Sequence, residues 1–383
     1  MGYPAPVDPT LPSLELLRRM TDRHVLDQLL EHDLLSRAEI AARTGLSKPT
    51  VSESVRRLTG SGLLLEVGRQ SGRRGRAGTN LQLDADAGCV LSVHAGPEGV
   101  LAERHDLRGR LRARSRQEVT APVVAGRLAT LLRAAVREVV ADARAPVLAT
   151  AVSAADPVDQ RTGRLVELPN SPFLTGELAP AEVLSDLLPE PPTVDNDVNW
   201  AAVAEHRQGV ATDLSEFAYC YLGAGMGMGL VSRGRVLHGH RGLAGEVAHM
   251  PTRGPGGRTM RLVQCFAEWG LQRPGTAAID VPALTRRLAG GGDTDRQLRD
   301  EVVEALGLAL SGVAALLNPQ VLVLGGPWAN SGELPARLTA MLAEAPVPVE
   351  VRPTALGADA PLVGARISAL DRARAQLPAL VSR

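Results

Sequence analysis

Glycine at every second position of one apolar run constrains the fold of this chain more than any other feature. The run is L-G-A-G-M-G-M-G-L-V, and its four glycines are Gly223, Gly225, Gly227 and Gly229. One face of such an extended segment carries no side chains, so another backbone or a ligand can approach it closely. A-G-E-V-A-H follows and places Glu246 and His249 three residues apart, on one side of a helical turn. Two interpretations stay open: a phosphate cradle joined to a polyol-binding site, or a tight hairpin in a packed sheet.

Charge and cysteine usage limit the classes of function. Among 383 residues, 42 are Lys or Arg and 42 are Asp or Glu, so any affinity for nucleic acid must come from a local patch. Three widely separated cysteines favour a reducing compartment without a disulfide framework. The sequence has neither a secretory signal nor an apolar run that could span a bilayer. We expect a cytoplasmic protein with no membrane partner, and a flexible, proline-rich tail over residues 1–20.

Residues 21–82 predict a winged helix-turn-helix domain. Apolar residues at helix spacing indicate a first helix, and Ser36 with Glu39 forms a capping box that begins a second. Gly45 ends that helix, and Ser47 can cap a third with Pro49 in its first turn. Two short strands rich in Gly and Arg follow and predict a β-hairpin wing. In a winged helix-turn-helix domain of this kind, the third helix enters the major groove of DNA.

The charge of this region agrees with DNA binding. Between positions 43 and 76 the sequence has eight basic residues and only two acidic ones. Such an excess of positive charge is what neutralisation of DNA phosphates requires. The alternative is a solvated basic loop on a small protein-interaction domain. The wing sequence G-R-R-G-R is slim enough to lie in a minor groove. Residues expected to contact DNA are Ser47, Lys48, Thr50, Ser52, Arg56, Arg57, Arg73, Arg74 and Arg76.

Beyond residue 82 strands and helices alternate, which predicts two layered α/β lobes. One strand ends in Asp195-Asn196-Asp197, where a helix opens at once. Polar side chains at such a junction face the crevice in which open α/β sheets bind ligands. Simple N-capping is the alternative, because Asp and Asn cap helices routinely.

Four motifs in order resemble the ROK family of sugar kinases and sugar-responsive repressors. They are D-N-D-V-N-W-A-A-V-A-E, L-G-A-G-M-G-M-G-L-V, A-G-E-V-A-H-M and V-L-V-L-G-G, and the resemblance covers about residues 21 to 375. The family's kinases generally lack the N-terminal domain, so the resemblance points to the regulator branch. It implies an α/β chain whose winged helix-turn-helix precedes a two-lobed, actin-like (ribonuclease H-like) domain with a sugar cleft. Lobe 1 would span residues 83–195, completed by a C-terminal helix at 362–376, and lobe 2 would span 196–361.

The resemblance also implies a set of sugar contacts. Carboxylates accept hydrogen bonds from vicinal hydroxyls, and a neutral imidazole can donate or accept them. In the kinases, Asp197 would be the base that activates the attacking hydroxyl. Glu268 lies in Q-C-F-A-E, offset by one residue from the family's usual Cys-Leu-Glu. The implied contacts are Asn170, Asn196, Asp197, Glu246, His249 and Glu268.

Departures from the family pattern argue against phosphoryl transfer. The kinase phosphate loop has an aspartate where this chain has His94, and Pro97 and Glu98 follow in the loop. Ala224 replaces the usual threonine of the glycine hairpin. Because phosphoryl transfer depends on positioning and neutralising the phosphates and their metal, we expect no kinase activity and only a vestigial base at Asp197.

The family's zinc site is also incomplete in this sequence. The family uses a histidine, here His249, and three cysteines, of which this chain keeps only Cys265. Two ligands cannot close a tetrahedral structural site, so we expect neither zinc nor any cofactor.

These observations together predict a DNA-binding transcriptional regulator of the repressor type that senses a sugar or sugar derivative. A helix-turn-helix domain reads palindromes as a dimer, so we expect double-stranded operator DNA and a homodimer or dimer of dimers. Two alternatives remain: a sugar kinase with an accessory DNA-binding domain, and a regulator that has lost its effector.

Overall fold

The N-terminal part of the protein is a helical head with a small sheet. The computed structural model describes residues 14–69, 79–119, 125–168, 173 and 178–381. β3 pairs antiparallel with both β1 and β2, so β2 and β3 form the predicted wing. The elements of the head are α1 (Leu14–Glu31), β1 (Leu35–Ser36), α2 (Arg37–Thr44), α3 (Lys48–Gly60), β2 (Leu64–Arg69) and β3 (Thr79–Leu83).

Local capping sets both ends of α2 and the start of α3 as predicted. The Ser36 hydroxyl accepts from the Glu39 backbone N–H, while the Glu39 carboxylate accepts from the Ser36 N–H at 2.8 Å. Gly45 ends α2 in the left-handed region, with φ 71°. The Ser47 hydroxyl accepts from the backbone N–H of Thr50 at the start of α3. Chain direction at both turns is therefore fixed by neighbouring residues alone.

The predicted tail over residues 1–20 is wrong for residues 14–20, which are helical. α1 has 18 residues and begins at Leu14. Leu14, Leu17 and Met20 are about half or more exposed, so no buried periodicity marks this part of the sequence as a helix. Residues 1–13 lie outside the part of the chain that the structure describes.

Lobe 1 is built on a five-stranded sheet that ends at Asn196, one residue beyond the predicted division. Its strand order is β6-β5-β4-β7-β10: an antiparallel meander followed by two parallel strands. The elements are β4 (Cys89–Gly96), β5 (Gly99–Asp106), β6 (Leu111–Glu118), α4 (Ala125–Val140), β7 (Val147–Ala154), β8 (Val158–Asp159), β9 (Arg164–Leu165), α5 (Pro180–Val183) and β10 (Thr193–Asn196).

Lobe 2 repeats the same topology with the order β13-β12-β11-β16-β17. Two lobes of one topology confirm the predicted two-lobed α/β fold class. No helix in the described ranges is both long enough and apolar enough to cross a membrane. The remaining elements are α6 (Asp197–Gln208), β11 (Phe217–Leu222), β12 (Met226–Ser232), β13 (Arg235–Val236), β14 (Pro251–Arg253), β15 (Thr259–Arg261), α7 (Leu262–Glu268), α8 (Val281–Leu288), α9 (Asp293–Leu317), β16 (Val321–Gly325), α10 (Leu334–Ala343), β17 (Glu350–Pro353) and α11 (Ala360–Leu380).

The bare glycine face of β12 is covered by helix α6. A Cβ at Gly229 would lie 2.4 Å from the carbonyl oxygen of Val198, and one at Gly227 would lie 3.2 Å from the Val198 side chain. Because backbone atoms occupy the space beside Gly229, the packed-hairpin interpretation is correct at that position. The hairpin fixes α6, whose first residue is Asp197.

The head and lobe 1 share one hydrophobic core. Val25 and Leu29 of α1 belong to the same buried cluster as Leu107 of lobe 1 and Leu370 of α11. α11 spans Ala360–Leu380, longer at both ends than the predicted 362–376. It packs on β4, β7 and α6, so one helix touches both the sheet of lobe 1 and the helix that opens at Asp197.

Candidate functional site

A cleft of about 690 Å³, including its open mouth, lies where β7 and β10 end near the β11–β12 hairpin. Its walls combine carboxyl groups with apolar and aromatic side chains, the usual make-up of a small-molecule site. The lining includes Asp156, Leu168, Phe173, Asn196, Asp197, Tyr221, Ala224, Gly225, Glu246, His249, Val263 and Ile279. Four of the six predicted sugar contacts therefore lie around one cavity.

Three carboxyl groups share this cleft. Burial, together with the nearby charges of Asp156 and Glu246, raises the pKa of Asp197 to about 7, although a hydrogen bond from the backbone N–H of Val198 acts to lower it. Burial likewise raises the pKa of Glu246 to about 7, with a contribution from Asp156. The cleft therefore holds protons near neutral pH and can both donate to and accept from a polyol.

Asn196 has two roles at the start of α6. Its side-chain oxygen accepts from the backbone N–H of Val198 at 3.2 Å, which is the helix-capping role weighed from the sequence. It also lines the cleft, so the cap does not remove it from the site. The preceding Asp195 supports this corner, accepting from Asn199 Nδ2 at 2.8 Å and hydrogen-bonding His238 Nε2 at 2.6 Å.

Glu246 precedes a short 3₁₀ turn over Val247–His249, and His249 is the last residue of that turn. Their three-residue spacing brings both to the cleft, as the sequence predicts. Burial lowers the pKa of His249, and the charge of Arg261 lowers it further. His249 is therefore a neutral imidazole at pH 7, able to donate one hydrogen bond and accept another.

The other two predicted sugar contacts do not join this group. Glu268 is exposed on α7 and pairs with Arg258 at 2.8 Å, away from the cleft lining. α7 turns Val263 toward the cleft, so the prediction for Glu268 is wrong in this fold because the helix presents it to solvent. Asn170 lies outside the described residues.

His94, which stands where the kinase phosphate loop has an aspartate, differs from that aspartate in its chemistry. His94 Nδ1 lies 3.0 Å from the Ser153 hydroxyl, and burial lowers the His94 pKa to about 4. A Cβ at Gly96 would lie 2.8 Å from His94 Nε2, so the imidazole fills the space beside this turn. A neutral imidazole supplies none of the oxygen ligands that phosphate-bound magnesium prefers.

The side chains at the family's zinc position do not fit that metal. His249 faces the cleft, while Cys265 is buried in α7 with its thiol 3.7 Å from the Arg261 carbonyl oxygen. Within the described ranges no three His, Cys, Asp or Glu side chains are grouped closely enough to hold a metal ion. Tetrahedral structural zinc requires four such ligands.

The outer face of α3 and its cap forms the candidate DNA-contacting surface, with Ser47, Lys48, Thr50, Ser52 and Arg56 all exposed. The side chain of Arg56 is 74% exposed and pairs with Glu53, which is itself 53% exposed. A guanidinium held by so exposed a partner can exchange it for a phosphate.

Arg57 was predicted to face DNA, but it points inward to α1. Its side chain is 20% exposed and lies 2.7 Å from the carboxylate of Asp22, which is 3% exposed. α3 turns this position toward α1, where the buried carboxylate needs a cation, so the prediction for Arg57 is wrong in this structure. The wing residues Arg73, Arg74 and Arg76 lie outside the described residues.

Asp156 is a cleft residue that was not among those predicted from the sequence. The residue follows β7, is 4% exposed and lines the cleft beside Asp197 and Glu246. The signal was available, because carboxyl ends of neighbouring parallel strands meet at one edge of a sheet.

Comparisons with known proteins match both parts of the chain. A model of the ROK family matches residues 90–372, and a model of winged helix-turn-helix DNA-binding domains matches residues 19–64. A xylose repressor of Caldicellulosiruptor bescii is 21% identical over 344 residues, covering 83% of this chain and 86% of the relative. A glucokinase of Halalkalibacterium halodurans is 30% identical over 167 residues, covering 37% of this chain and 51% of the enzyme.

Solved structures show the same fold. A ROK family transcriptional regulator described as a homologue of the E. coli MLC protein superposes with a TM-score of 0.68 at 19% identity, covering 96% of this chain and all of the other. A ROK hexokinase from Thermus thermophilus gives a TM-score of 0.57 at 28% identity, covering 73% of this chain and 97% of the enzyme.

Proposed function

Because the chain belongs to the ROK family and carries a winged helix-turn-helix domain, we propose that it is a DNA-binding transcriptional repressor that senses a sugar. The observation that carries this proposal is the single core that joins the head to lobe 1 beside the cleft helix. Binding at the cleft can then change how the head is held. We place the protein in the cytoplasm, as a homodimer or dimer of dimers on a palindromic operator.

The cleft supports a polyol ligand through its chemistry. Neutral and ionised carboxyl groups, an amide and a neutral imidazole offer hydrogen-bond donors and acceptors around the cleft. Tyr221 and the apolar wall can cover the non-polar face of a sugar ring. The xylose repressor among the relatives makes D-xylose the first sugar to test.

DNA binding is tested by electrophoretic mobility shift with the DNA upstream of the protein's own coding region, over a range of salt. We expect a salt-sensitive complex that D-xylose, D-glucose or N-acetylglucosamine weakens. A wild-type protein without any salt-sensitive complex on this DNA would overturn the proposal.

Sugar binding is tested separately by titration calorimetry with the same three sugars. Glu246→Ala removes a cleft carboxyl, and we expect it to lose the binding heat of wild type. Glu268→Ala is the matched control, because Glu268 is exposed and pairs with Arg258. Wild-type protein that binds DNA but gives no heat with these sugars favours a regulator without a sugar effector.

A sugar kinase is the second candidate function, and one observation favours it. Asp197 keeps the position of the kinase base, and its pKa of about 7 suits proton transfer at neutral pH. A coupled nucleotide-turnover assay with MgATP and the three sugars decides between the candidates. Turnover that Asp197→Asn abolishes would establish the kinase; we expect none, given the neutral His94 at the phosphate loop.

A further inference from the structure

The turn between β5 and β6 reaches from lobe 1 onto the C-terminal end of α1. Arg108 stands in this turn, and its side chain is only 9% exposed. Its Nη2 donates to the carbonyl oxygen of Leu29 at 2.6 Å and also to that of His32. Its Nη1 pairs with the carboxylate of Asp33. One guanidinium from lobe 1 therefore binds three groups at the end of a head helix.

The contact with Arg108 satisfies the C-terminal end of α1, where the helix lacks a hydrogen-bonding cation of its own. The last carbonyls of an α-helix have no intrahelical partners, and the end of the helix dipole favours a cation there. The last turn of α1 contains no basic residue. Lobe 1 supplies the missing cation through Arg108.

The turn that carries Arg108 is held by hydrogen bonds from lobe 1 and α11. Asp106 is 2% exposed. Its carboxylate accepts from the backbone N–H of Arg108 at 2.9 Å and of Arg110 at 3.0 Å. Arg374 of α11 donates from Nε to the carbonyl oxygen of Leu107 at 3.0 Å. The position of the guanidinium is thus set from outside the head.

α1 in turn holds the helix that faces DNA. The buried carboxylate of Asp22 accepts from the Ser54 hydroxyl at 2.6 Å and from Arg57 Nη2 at 2.7 Å. Both partners lie on α3, and separating them would leave a charge unpaired in the interior. Any change in the orientation of α1 is therefore passed to α3.

We propose that Arg108 is a positioning residue for DNA binding, which holds the two heads of a dimer at the separation that a palindromic operator requires. This inference rests on the proposed function. Lobe 1 sets the angle of α1 through Arg108, α1 sets α3 through Asp22, and the two copies of α3 must match two half-sites about one helical turn apart. The shared core keeps the head attached, while Arg108 fixes its orientation.

Hydrogen exchange of the full-length protein tests the contact without DNA. We expect Arg108→Ala to raise exchange of α1 and α3 amides by about tenfold or more, since several charge-assisted hydrogen bonds are lost, while β16 amides keep their rates. Arg110→Ala is the matched control: Arg110 bonds the same Asp33 from the same turn but is 54% exposed. Unchanged head exchange in Arg108→Ala, or an equal rise in both variants, would overturn the proposal.

A comparison of two DNA fragments separates positioning from simple damage to the head. The first fragment carries the complete binding site, located by footprinting on the DNA upstream of the coding region. The second carries only one half-site of the same DNA. We expect Arg108→Ala to weaken binding of the complete site by about tenfold and to leave half-site binding unchanged, with partial recovery in Arg108→Lys. Equal weakening on both fragments contradicts the positioning role. If wild type binds neither fragment, the proposed function fails, and hydrogen exchange alone still decides whether Arg108 holds the head.

Discussion

Replacing the cleft carboxyl of Asp197 by an amide should stabilise the protein in a pH-dependent way. Burial raises the pKa of Asp197 from 3.8 to about 7. Because the folded state holds this proton more tightly than the unfolded state, wild-type stability falls as the pH rises through the window between those two values. Ionising the carboxyl in the fold costs at most about 4 kcal/mol above pH 7, at about 1.4 kcal/mol per unit of pKa.

Asp197→Asn keeps the shape of the side chain and removes its titration. The pH-independent cost of burying an amide cancels when two pH values are compared. We therefore expect the free energy of unfolding of the variant minus that of wild type to be about 2–3 kcal/mol larger at about pH 8 than at about pH 5. Urea unfolding followed by tryptophan fluorescence measures this difference.

Asp213→Asn serves as the control, because Asp213 lies exposed in the loop after α6. Its stability relative to wild type should be the same at both pH values. A raised pKa of Asp197 is refuted if Asp197→Asn shows the pH dependence of wild type, or if it loses the same stability at both pH values. The stabilised variant should also bind sugar less well, since it lacks an anionic acceptor.

Three further outcomes follow from the head and the cleft. Arg56→Ala should reduce the magnitude of the slope of log affinity for DNA against log salt concentration by about one. The control is Arg253→Ala, which should leave the slope unchanged, because Arg253 is an exposed arginine of lobe 2 in a similar ion pair. Arg57→Ala should cost about 3–5 kcal/mol in urea unfolding, because it leaves the Asp22 carboxylate buried without its cation; a cost near zero would contradict this. In Asp197→Asn, whose side chain at this position no longer titrates, binding of the preferred sugar should strengthen by several-fold when the pH falls from about 8 to about 6 if protonated Glu246 donates to it, and pH-independent calorimetry would exclude that role.

Features set by neighbouring residues could be predicted from the sequence. The Ser36–Glu39 capping box, the glycine that ends α2 and the cap of α3 depend on side chains within a few positions. The spacing of Glu246 and His249 also survives, because a single turn brings both to the cleft. Local chemistry therefore predicts the helix-turn-helix and part of the ligand site.

Features set by distant partners could not be predicted. Arg57 turns inward because Asp22, 35 residues away, is buried and needs a cation. Glu268 turns outward because α7 packs its opposite side against the core of lobe 2. Asp156 joins the cleft only when β7 and β10 lie side by side. Periodicity within one element carries no information on these pairings.

The core shared by the head and α11 has a consequence for synthesis of the protein. Val25 and Leu29 pack in one cluster with Ala369 and Leu370, more than 300 residues later in the chain. N-terminal domains usually fold first as they leave the ribosome. Here the first domain obtains its last packing partners only after residues beyond 360 have been made. A chain released early would carry a complete helix-turn-helix sequence with an uncovered apolar face, so truncated products should be removed by proteolysis before they can compete for the operator.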